Sequence, residues 1–375
     1  MGPRILCIGL MSGTSIDSID AVACEFDDDG RPKGLLGGRS MSYPGVLRSE
    51  LLALQRDPDR PLTLRDVARL DTAVGDCFAQ AASHLLRELR LPSTAITAIG
   101  SHGQTLFHDP RAIGTSVQLG DPNRIAAQTG IRTVADFRRA DMARGGQGAP
   151  LVPAFHHAVF AAPHTPRIVL NIGGIANLTI LPDQRAEAVT GFDTGPGNAL
   201  LDDWIQHCKG ETYDHDGLWA ASGEVLAPLL SACLSDPHFA ATVPKSTGRD
   251  HFNLTWLRGR YAGLADCNAR DVQRTLLELT VESIAGQIET LAARKDVDLF
   301  VCGGGTRNAR MMARLGERLA SIRVRTTLDL GVDPAWVEAS AFAWLAWRTV
   351  HGQPGNLPAV TGADRPAILG GVYGP

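Results

Sequence analysis

The sequence predicts an α/β fold built twice, and three observations carry that expectation. Apolar strand-like runs alternate with stretches of helical periodicity, the pattern of mixed layers of strands and helices. A strand, glycine turn, strand pattern, first seen at "ILCIGLMSGTSIDSIDAVACEF", returns about 160 residues later as "RIVLNIGGIANLTIL". Glycine-rich loops also follow strand-like runs at "GFDTGPGN" and "FVCGGGTRN".

The elements follow in order. Ile5 to Leu10 reads as a buried strand, and the run from Ala21 reads as its return partner across a polar, glycine-containing connection. After "GLLGGRS", apolar residues at Val67, Leu70, Val74, Phe78, Ala81 and Leu85 fall at helical spacing within Leu62 to Leu89. "AITAIGSHGQTLFHDP" is expected to form a strand and a polar loop that stops at Pro110. "SVQLGDPNRIAAQTGIRTVADF" adds a strand, a helix opening near Pro122, and another strand.

From Phe137 to Pro153 the composition turns irregular and glycine-rich, which suggests a loop at a domain junction. The expected division is therefore residues 1–135 and 136–375, with the C-terminal segment possible as a completing piece of the first domain. In the second half, Leu201, Trp204, Ile205 and Cys208 form a helical stripe with Asn198 as a candidate N-cap. Met311, Met312, Leu315 and Leu319 mark a further helix after the three glycines Gly303, Gly304 and Gly305.

Composition sets bounds on function. The chain has 375 residues, 44% hydrophobic and 20% charged, which describes a globular protein with a substantial core. Net charge is −4 and the basic residues are scattered, so the footprint of a nucleic-acid binder is missing. Seven cysteines occur without a C-x-x-C pair, consistent with free thiols in a reducing cytoplasm. No apolar run is long enough for a membrane-spanning helix, and the N-terminus lacks a signal-like apolar region.

Glycine loops feeding helix N-termini present backbone N–H groups and the positive end of a helix dipole, a setting suited to phosphate. One such loop is weak evidence, but four in one chain, at Gly9 to Asp20, Gly173 to Asn177, Gly191 to Asn198 and Gly303 to Asn308, favour a nucleotide. Neither G-x-x-x-x-G-K-[ST] nor G-x-G-x-x-G is present, so a P-loop and a dinucleotide fingerprint are both disfavoured.

Longer blocks carry a resemblance. "GLMSGTSIDSIDA", "GSHGQTLFH", "DFRRADMARGGQGAPLVPAFH", "LNIGGIANLT", "GFDTGPGN", "PKSTGRDHFN" and "CGGGTRN" resemble, in order and over nearly the whole chain, the motif set of the anhydro-N-acetylmuramic acid kinase family. That family belongs to the group of sugar kinases, actin and Hsp70-type ATPases. The resemblance implies a duplicated actin-like, ribonuclease H-like ATPase fold, with two domains flanking a nucleotide and substrate cleft. It also implies ATP with Mg²⁺, a small-molecule sugar substrate, a homodimer, a cytoplasmic location, and a role in peptidoglycan recycling. The implied reaction joins hydrolytic opening of 1,6-anhydro-N-acetylmuramic acid to phosphorylation of its O6. Ser18 departs from the family's usual glycine.

The expected nucleotide contacts are Ser12, Gly13, Thr14, Ser15, Ile16, Asp17, Ser18, Ile19 and Asp20 of the first hairpin, then Gly173, Gly174, Gly195, Gly197, Asn198, Gly303, Gly304, Gly305 and Asn308. Gly13, Thr14 and Ser15 offer donors to phosphates, the kind of positioning on which phosphoryl transfer depends. Asp17 is expected to hold Mg²⁺ through water, since that ion keeps several waters and uses few carboxylates; Asp20 could do so or could serve only the turn.

Asp193, at a strand end before Gly195-Pro196-Gly197, is the expected general base, a role the resemblance also implies; capping the next helix is its alternative. Glu338 is an awkward charge within "AWVEASAFAWLAW" and either faces the site, as the family's Glu does, or sits exposed near the helix start. His102, Gln104 and Arg144 could contact the sugar, its lactyl carboxylate or phosphates, or could be structural. The loop Lys245 to Asp250 could meet an anion or be a solvated turn. Competing readings are a conformational ATPase of the actin or Hsp70 kind and a phosphatase of the same fold.

Overall fold

The structure, a computed structural model, describes residues 4–57, 60–243, 245–292 and 297–375. The chain divides into two compact units, Met1–Val159 with Trp336–Pro375 and Phe160–Ala335.

The first unit opens with β1 (Ile5–Met11), β2 (Ser18–Phe26) and β3 (Pro32–Ser42), paired antiparallel in turn. β4 (Ile96–Ser101) adds parallel to the other side of β1. A separate hairpin, β5 (Gln104–Asp109) and β6 (Thr115–Leu119), follows, and β7 (Thr133–Ala135) then lies parallel to β4. The C-terminal strand Gly371–Tyr373 closes the edge against β7. The sheet order is thus β3-β2-β1-β4-β7 followed by that last strand.

β1 is apolar at successive positions because both of its faces are covered. Leu6, Ile8 and Leu10 join the core formed with Leu70, Val74, Phe78 and Leu85 of the helix Leu64–Leu89. On the opposite face, Gly9 and Gly100 meet the helix Val337–Val350. A Cβ on Gly9 would stand 1.8 Å from the carbonyl oxygen of Ala339, and one on Gly100 would stand 2.0 Å from that of Phe342. The two glycines therefore permit backbone-to-backbone packing of the helix that carries Glu338.

The second unit repeats the plan. β8 (Arg167–Ile172), β9 (Ile175–Leu181) and β10 (Thr190–Pro196) pair antiparallel, while β11 (Asp298–Cys302) and β12 (Val324–Thr326) continue parallel from the other side of β8. Its order, β10-β9-β8-β11-β12, matches β3-β2-β1-β4-β7 strand for strand and direction for direction. The duplication inferred from two glycine hairpins is therefore present in the topology. Leu276, Ile284 and Ile288 of the helix Ala269–Ala292 pack with Leu170, Leu178 and Val301 in the core of this unit.

Two expectations need correction. The division does not fall at 135/136, because residues 137–159 pack within the first unit. Phe137, Leu151 and Phe155 are buried. Asp141, with no exposed surface, accepts from Asn356 Nδ2 at 2.7 Å and Thr361 Oγ1 at 2.8 Å. The supposed loop from 137 also begins as a helix, Phe137–Met142, and a second helix spans Val152–Phe160. Glycine content concealed a segment whose buried carboxylate ties it to the C-terminal tail.

Candidate active site

The first hairpin is closed from beneath and open at its tip. Ser12 Oγ donates to Gln104 Oε1 at 2.7 Å and lies 3.0 Å from the carbonyl of Ser18. Gln104 Nε2 donates to the carbonyl of Gly13 at 3.3 Å, and Tyr43 Oη donates to Gln104 Oε1 at 3.3 Å. Gln104 is 1% exposed, so its amide braces the hairpin and offers nothing to a sugar. Ser12 is equally buried and has the same structural task.

Ile16 and Ile19 are core residues with no exposed side chain, so neither side chain can reach a ligand. Ile16 adopts φ +53°, an unusual conformation for a β-branched residue and a mark of a constrained turn. The turn is held by the Ile16 N–H to the Gly13 carbonyl at 3.2 Å and by Arg48 Nε to the Ile16 carbonyl at 2.8 Å. Thr14 and Asp17 project into solvent and Ser15 is half-buried. Thr14 and Ser15 make no side-chain hydrogen bond among the described residues, which leaves both hydroxyls available.

Asp17 Oδ1 pairs with Arg48 Nη2 at 2.6 Å. Among the described residues no three His, Cys, Asp or Glu side chains form a metal cluster. The arrangement thus suits an ion that arrives with its own waters, and does not suit a fixed protein cage. Asp20 lies along β2, where Ser40 of β3 donates to its Oδ1 at 2.6 Å. That contact belongs to the sheet.

A second cluster in the same unit joins His102 to a residue that sequence reasoning passed over, Arg138. Arg138 Nη2 lies 2.8 Å and Nε 3.2 Å from His102 Nε2, and Nη1 donates to the Gly148 carbonyl at 2.8 Å. A guanidinium can only donate. His102 Nε2 is therefore the acceptor, and burial together with the adjacent cation holds the imidazole well below its usual pKa. Burial also lowers Arg138 to about 10, against the opposing pull of Glu338 and Asp141.

Glu338 is half-buried in the first turn of its helix, within electrostatic reach of Arg138. It is not the exposed helix-start residue of the alternative reading. Arg144 is half-buried and makes no ion pair or side-chain hydrogen bond among the described residues. Its cation is available to an anion.

In the second unit three glycine loops come together at one end of β8 and β11. The N–H groups of Gly197 and Ala199 donate to the Gly174 carbonyl at 2.9 and 3.0 Å, and that of Asn198 donates to the Gly173 carbonyl at 2.8 Å. A Cβ on Gly197 would lie 2.4 Å from the Gly173 oxygen, so only glycine permits this approach. A Cβ on Gly304 would lie 4.0 Å from Asn198 Nδ2.

This arrangement limits the donors an anion could meet. The N–H of Ala199, which opens the helix Ala199–Lys209, and those of Gly197 and Asn198 just before it are already occupied by the hairpin. Asn198 does not cap that helix with its side chain; Nδ2 donates instead to the carbonyls of Ile172 and Gly173 at 3.3 and 3.1 Å. Asn308 Oδ1 caps the helix Ala309–Arg318 by accepting the Met311 N–H at 3.0 Å, so that side chain is structural. The N–H groups of Gly173 and Gly174, like those of Gly304 and Gly305, have no backbone acceptor among the described residues and are donors left at this end.

Asp193 stands on β10 at the irregularity just before Gly195. Its Oδ2 accepts the Thr247 N–H at 3.0 Å, and its own N–H donates to the Lys245 carbonyl at 3.1 Å. Oδ1 has no partner among the described residues. Burial raises the carboxyl to about 6, and the Thr247 bond only partly opposes that rise. Helix capping, the alternative reading, is ruled out by these contacts.

The loop from Lys245 to Asp250 is no solvated turn. Lys245 is 9% exposed and its ammonium donates to the carbonyls of His238 and Phe239 at 2.9 and 3.2 Å. Arg249 pairs with Asp203 at 2.7 Å, and its Nη1 lies 3.9 Å from a Cβ position on Gly174. This loop lines both the candidate base and the glycine hairpin. The motif "PKSTGRDHFN" was the available signal, but nothing in its composition shows which residue faces Asp193.

The family match and the curated relatives span nearly the whole chain. A family model described as Anhydro-N-acetylmuramic acid kinase matches residues 5–375. The anhydro-N-acetylmuramic acid kinase of Shewanella oneidensis is 51% identical over 371 residues, covering 98% of each chain. That of Shewanella pealeana is 49% identical over 369 residues, with the same coverage. Among solved structures, component A of the (R)-2-hydroxyglutaryl-CoA dehydratase of Acidaminococcus fermentans aligns at 12% identity with a TM-score of 0.49, over 92% of this chain and 99% of that one.

Proposed function

Because the chain belongs to the anhydro-N-acetylmuramic acid kinase family, we propose that it uses ATP to convert 1,6-anhydro-N-acetylmuramic acid and water into N-acetylmuramic acid 6-phosphate. It is then a phosphotransferase with an alcohol oxygen as acceptor, working in the recovery of cell-wall amino sugar. Assembly as a homodimer and a cytoplasmic location belong to the same reading.

The observation that carries the mechanism is Asp193, buried enough to sit at about 6, held by one oxygen and open at the other. Water would give a proton to Oδ1 while its oxygen bonds to the anomeric carbon. The bond from that carbon to O6 breaks, and the electron pair left on O6 takes the γ-phosphoryl group as the β–γ bridging bond breaks to leave ADP. A base near the operating pH is the efficient choice for such a step.

The other groups bind and orient. Thr14, Ser15 and the N–H groups of Gly173 and Gly174 would hold phosphate oxygens, supported by their lack of internal partners. Asp17 would meet Mg²⁺ through water, the ion supplying neutralisation of phosphate charge. Arg144 suits the lactyl carboxylate or a phosphate. Glu338, near Arg138 in the first unit, would act on the sugar.

The test is mass spectrometry of the product formed with ATP, Mg²⁺ and the anhydro-sugar in ¹⁸O water. One ¹⁸O at the anomeric hydroxyl and one ADP per sugar are expected. A phosphorylated sugar with its anhydro ring intact would refute the coupled mechanism.

A further inference from the structure

The candidate base is tied to a buried carboxylate through a continuous line of hydrogen bonds within the second unit. Asp193 Oδ2 accepts the Thr247 N–H at 3.0 Å. Thr247 Oγ1 lies 3.3 Å from His251 Nδ1, and His251 Nε2 lies 3.2 Å from Asp236 Oδ2. Asp236 is 2% exposed. Its Oδ2 also accepts from Trp256 Nε1 at 2.8 Å and from Arg260 Nη2, while Oδ1 accepts the His238 N–H at 2.9 Å.

The chemistry of these groups assigns the protons. An ionised carboxylate only accepts, so His251 Nε2 must carry the hydrogen and donate it to Asp236. In neutral His251, Nδ1 is then an acceptor and takes the Thr247 hydroxyl hydrogen. The ring cannot turn freely, since it stacks on Phe252 at 4.3 Å with planes 7° apart. Four donors converge on Asp236 and fix the tautomer at the far end of the line.

We propose that His251 is a positioning residue: by accepting the Thr247 hydroxyl it fixes the loop so that the Thr247 N–H stays on Asp193 Oδ2 and leaves Oδ1 free for water. The proposal rests on the reading of Asp193 as the base. The loop is held at its other end by Lys245, so its remaining freedom lies at Thr247, where His251 acts. Besides Asp193 itself, the charged or titratable groups around the line are Lys245, His238, Asp236, Arg260 and the buried thiol of Cys233.

A role confined to holding the loop and a role in setting the base differ in what they do to the pH profile. The Thr247 N–H lowers the Asp193 pKa, so loosening it moves the acid limb of kcat upward. The variants are Thr247→Val, which keeps the shape and the backbone N–H, and His251→Phe, which keeps the stacking and removes both ring nitrogens. Thr247→Ser retains the hydroxyl and serves as the conservative control.

In Thr247→Val and His251→Phe we expect kcat to fall about tenfold, a part of the roughly hundredfold to ten-thousandfold that a general base contributes. KM for the anhydro-sugar should change less than about twofold, since the base does not bind the ground state. The acid limb should rise by about half a pH unit or more. The double variant should be no worse than either single one, and Thr247→Ser should match the parent. An unmoved limb in both single variants, or losses that add, would overturn the role of His251. Asp193→Asn distinguishes the premise: parental turnover there overturns Asp193 as the base, and loss there with an unmoved limb in the others overturns the His251 inference alone.

Discussion

The backbone N–H of Thr247 donates to Oδ2 of Asp193 at 3.0 Å, and the carboxyl it holds still lies at about 6. The bond favours the charged form and burial favours the neutral one, so the result shows burial as the larger effect. A carboxylate in this state is ionised in most molecules at neutral pH and is a stronger base than an exposed aspartate.

Asp193→Asn should lower kcat by about a hundredfold to ten-thousandfold, the usual span for a lost general base. In the parent enzyme kcat should fall as the pH drops through about 6. The same substitution should stabilise the fold. The folded carboxyl binds its proton more tightly than the unfolded one near 3.9, so ionisation costs stability above about pH 6. Asn removes that cost, of order 1 kcal/mol or more, and the gain should vanish below about pH 4. Thermal melting at both pH values measures it.

Asp236 has the opposite sign. Its buried carboxylate is held at about 2, where hydrogen bonds from Trp256, His238 and His251 overcome the desolvation that would raise it. Its contribution to stability is present above the unfolded value near 3.9 and is lost as the pH falls toward 2. Asp236→Asn should cost about 2–4 kcal/mol at pH 7, because Arg260 loses its ion-pair partner. In urea titrations the difference from the parent should shrink steadily below pH 4.

Gly9→Ala and Gly100→Ala should each destabilise the protein by about 2 kcal/mol or more, at the upper end of ordinary single substitutions. Each new methyl would meet helix backbone, at 1.8 Å from the Ala339 oxygen or 2.0 Å from the Phe342 oxygen, and backbone cannot rotate away. The helix must shift and Glu338 with it. Lower urea midpoints together with reduced kcat are expected; parental values in both would contradict the packing described.

Gln104→Leu should act on the nucleotide side. It removes the side-chain acceptor of the Tyr43 hydroxyl, one of two acceptors near the Ser12 hydroxyl and one of two donors to the Gly13 carbonyl, at a cost of about 1–3 kcal/mol. KM for ATP should rise severalfold while the anhydro-sugar KM stays near the parent value. A change confined to the sugar KM would return Gln104 to the substrate role expected from sequence.

Much of the fold was legible because it rests on local signals. The period of β1, the glycine hairpins and the long helical stripe from Val67 to Leu85 all report backbone geometry directly. Asp193 stood out by its place near the Gly195-Pro196-Gly197 turn, but it lies within β10 at an irregularity and not at a strand end. Long-range partnerships were not. Nothing near Gln104 in the sequence reveals Ser12, ninety-two positions away, as its hydrogen-bond partner. Arg138 was hidden in a basic run, and Asp141 among glycines, because a buried ion is identified by what surrounds it. Asn198 and Asn308 look alike as cap candidates, yet only Asn308 caps.

The division of the chain also sets an order of assembly during synthesis. Residues 160–335 are contiguous and carry every strand of their sheet, so this unit can fold as soon as it leaves the ribosome. The other unit cannot: the helix packed on Gly9 and Gly100, the partners of Asp141 and the closing strand all come from residues 336–375. The first part made is the last to be finished, and until the tail arrives one face of its sheet remains uncovered and open to a chaperone or to aggregation.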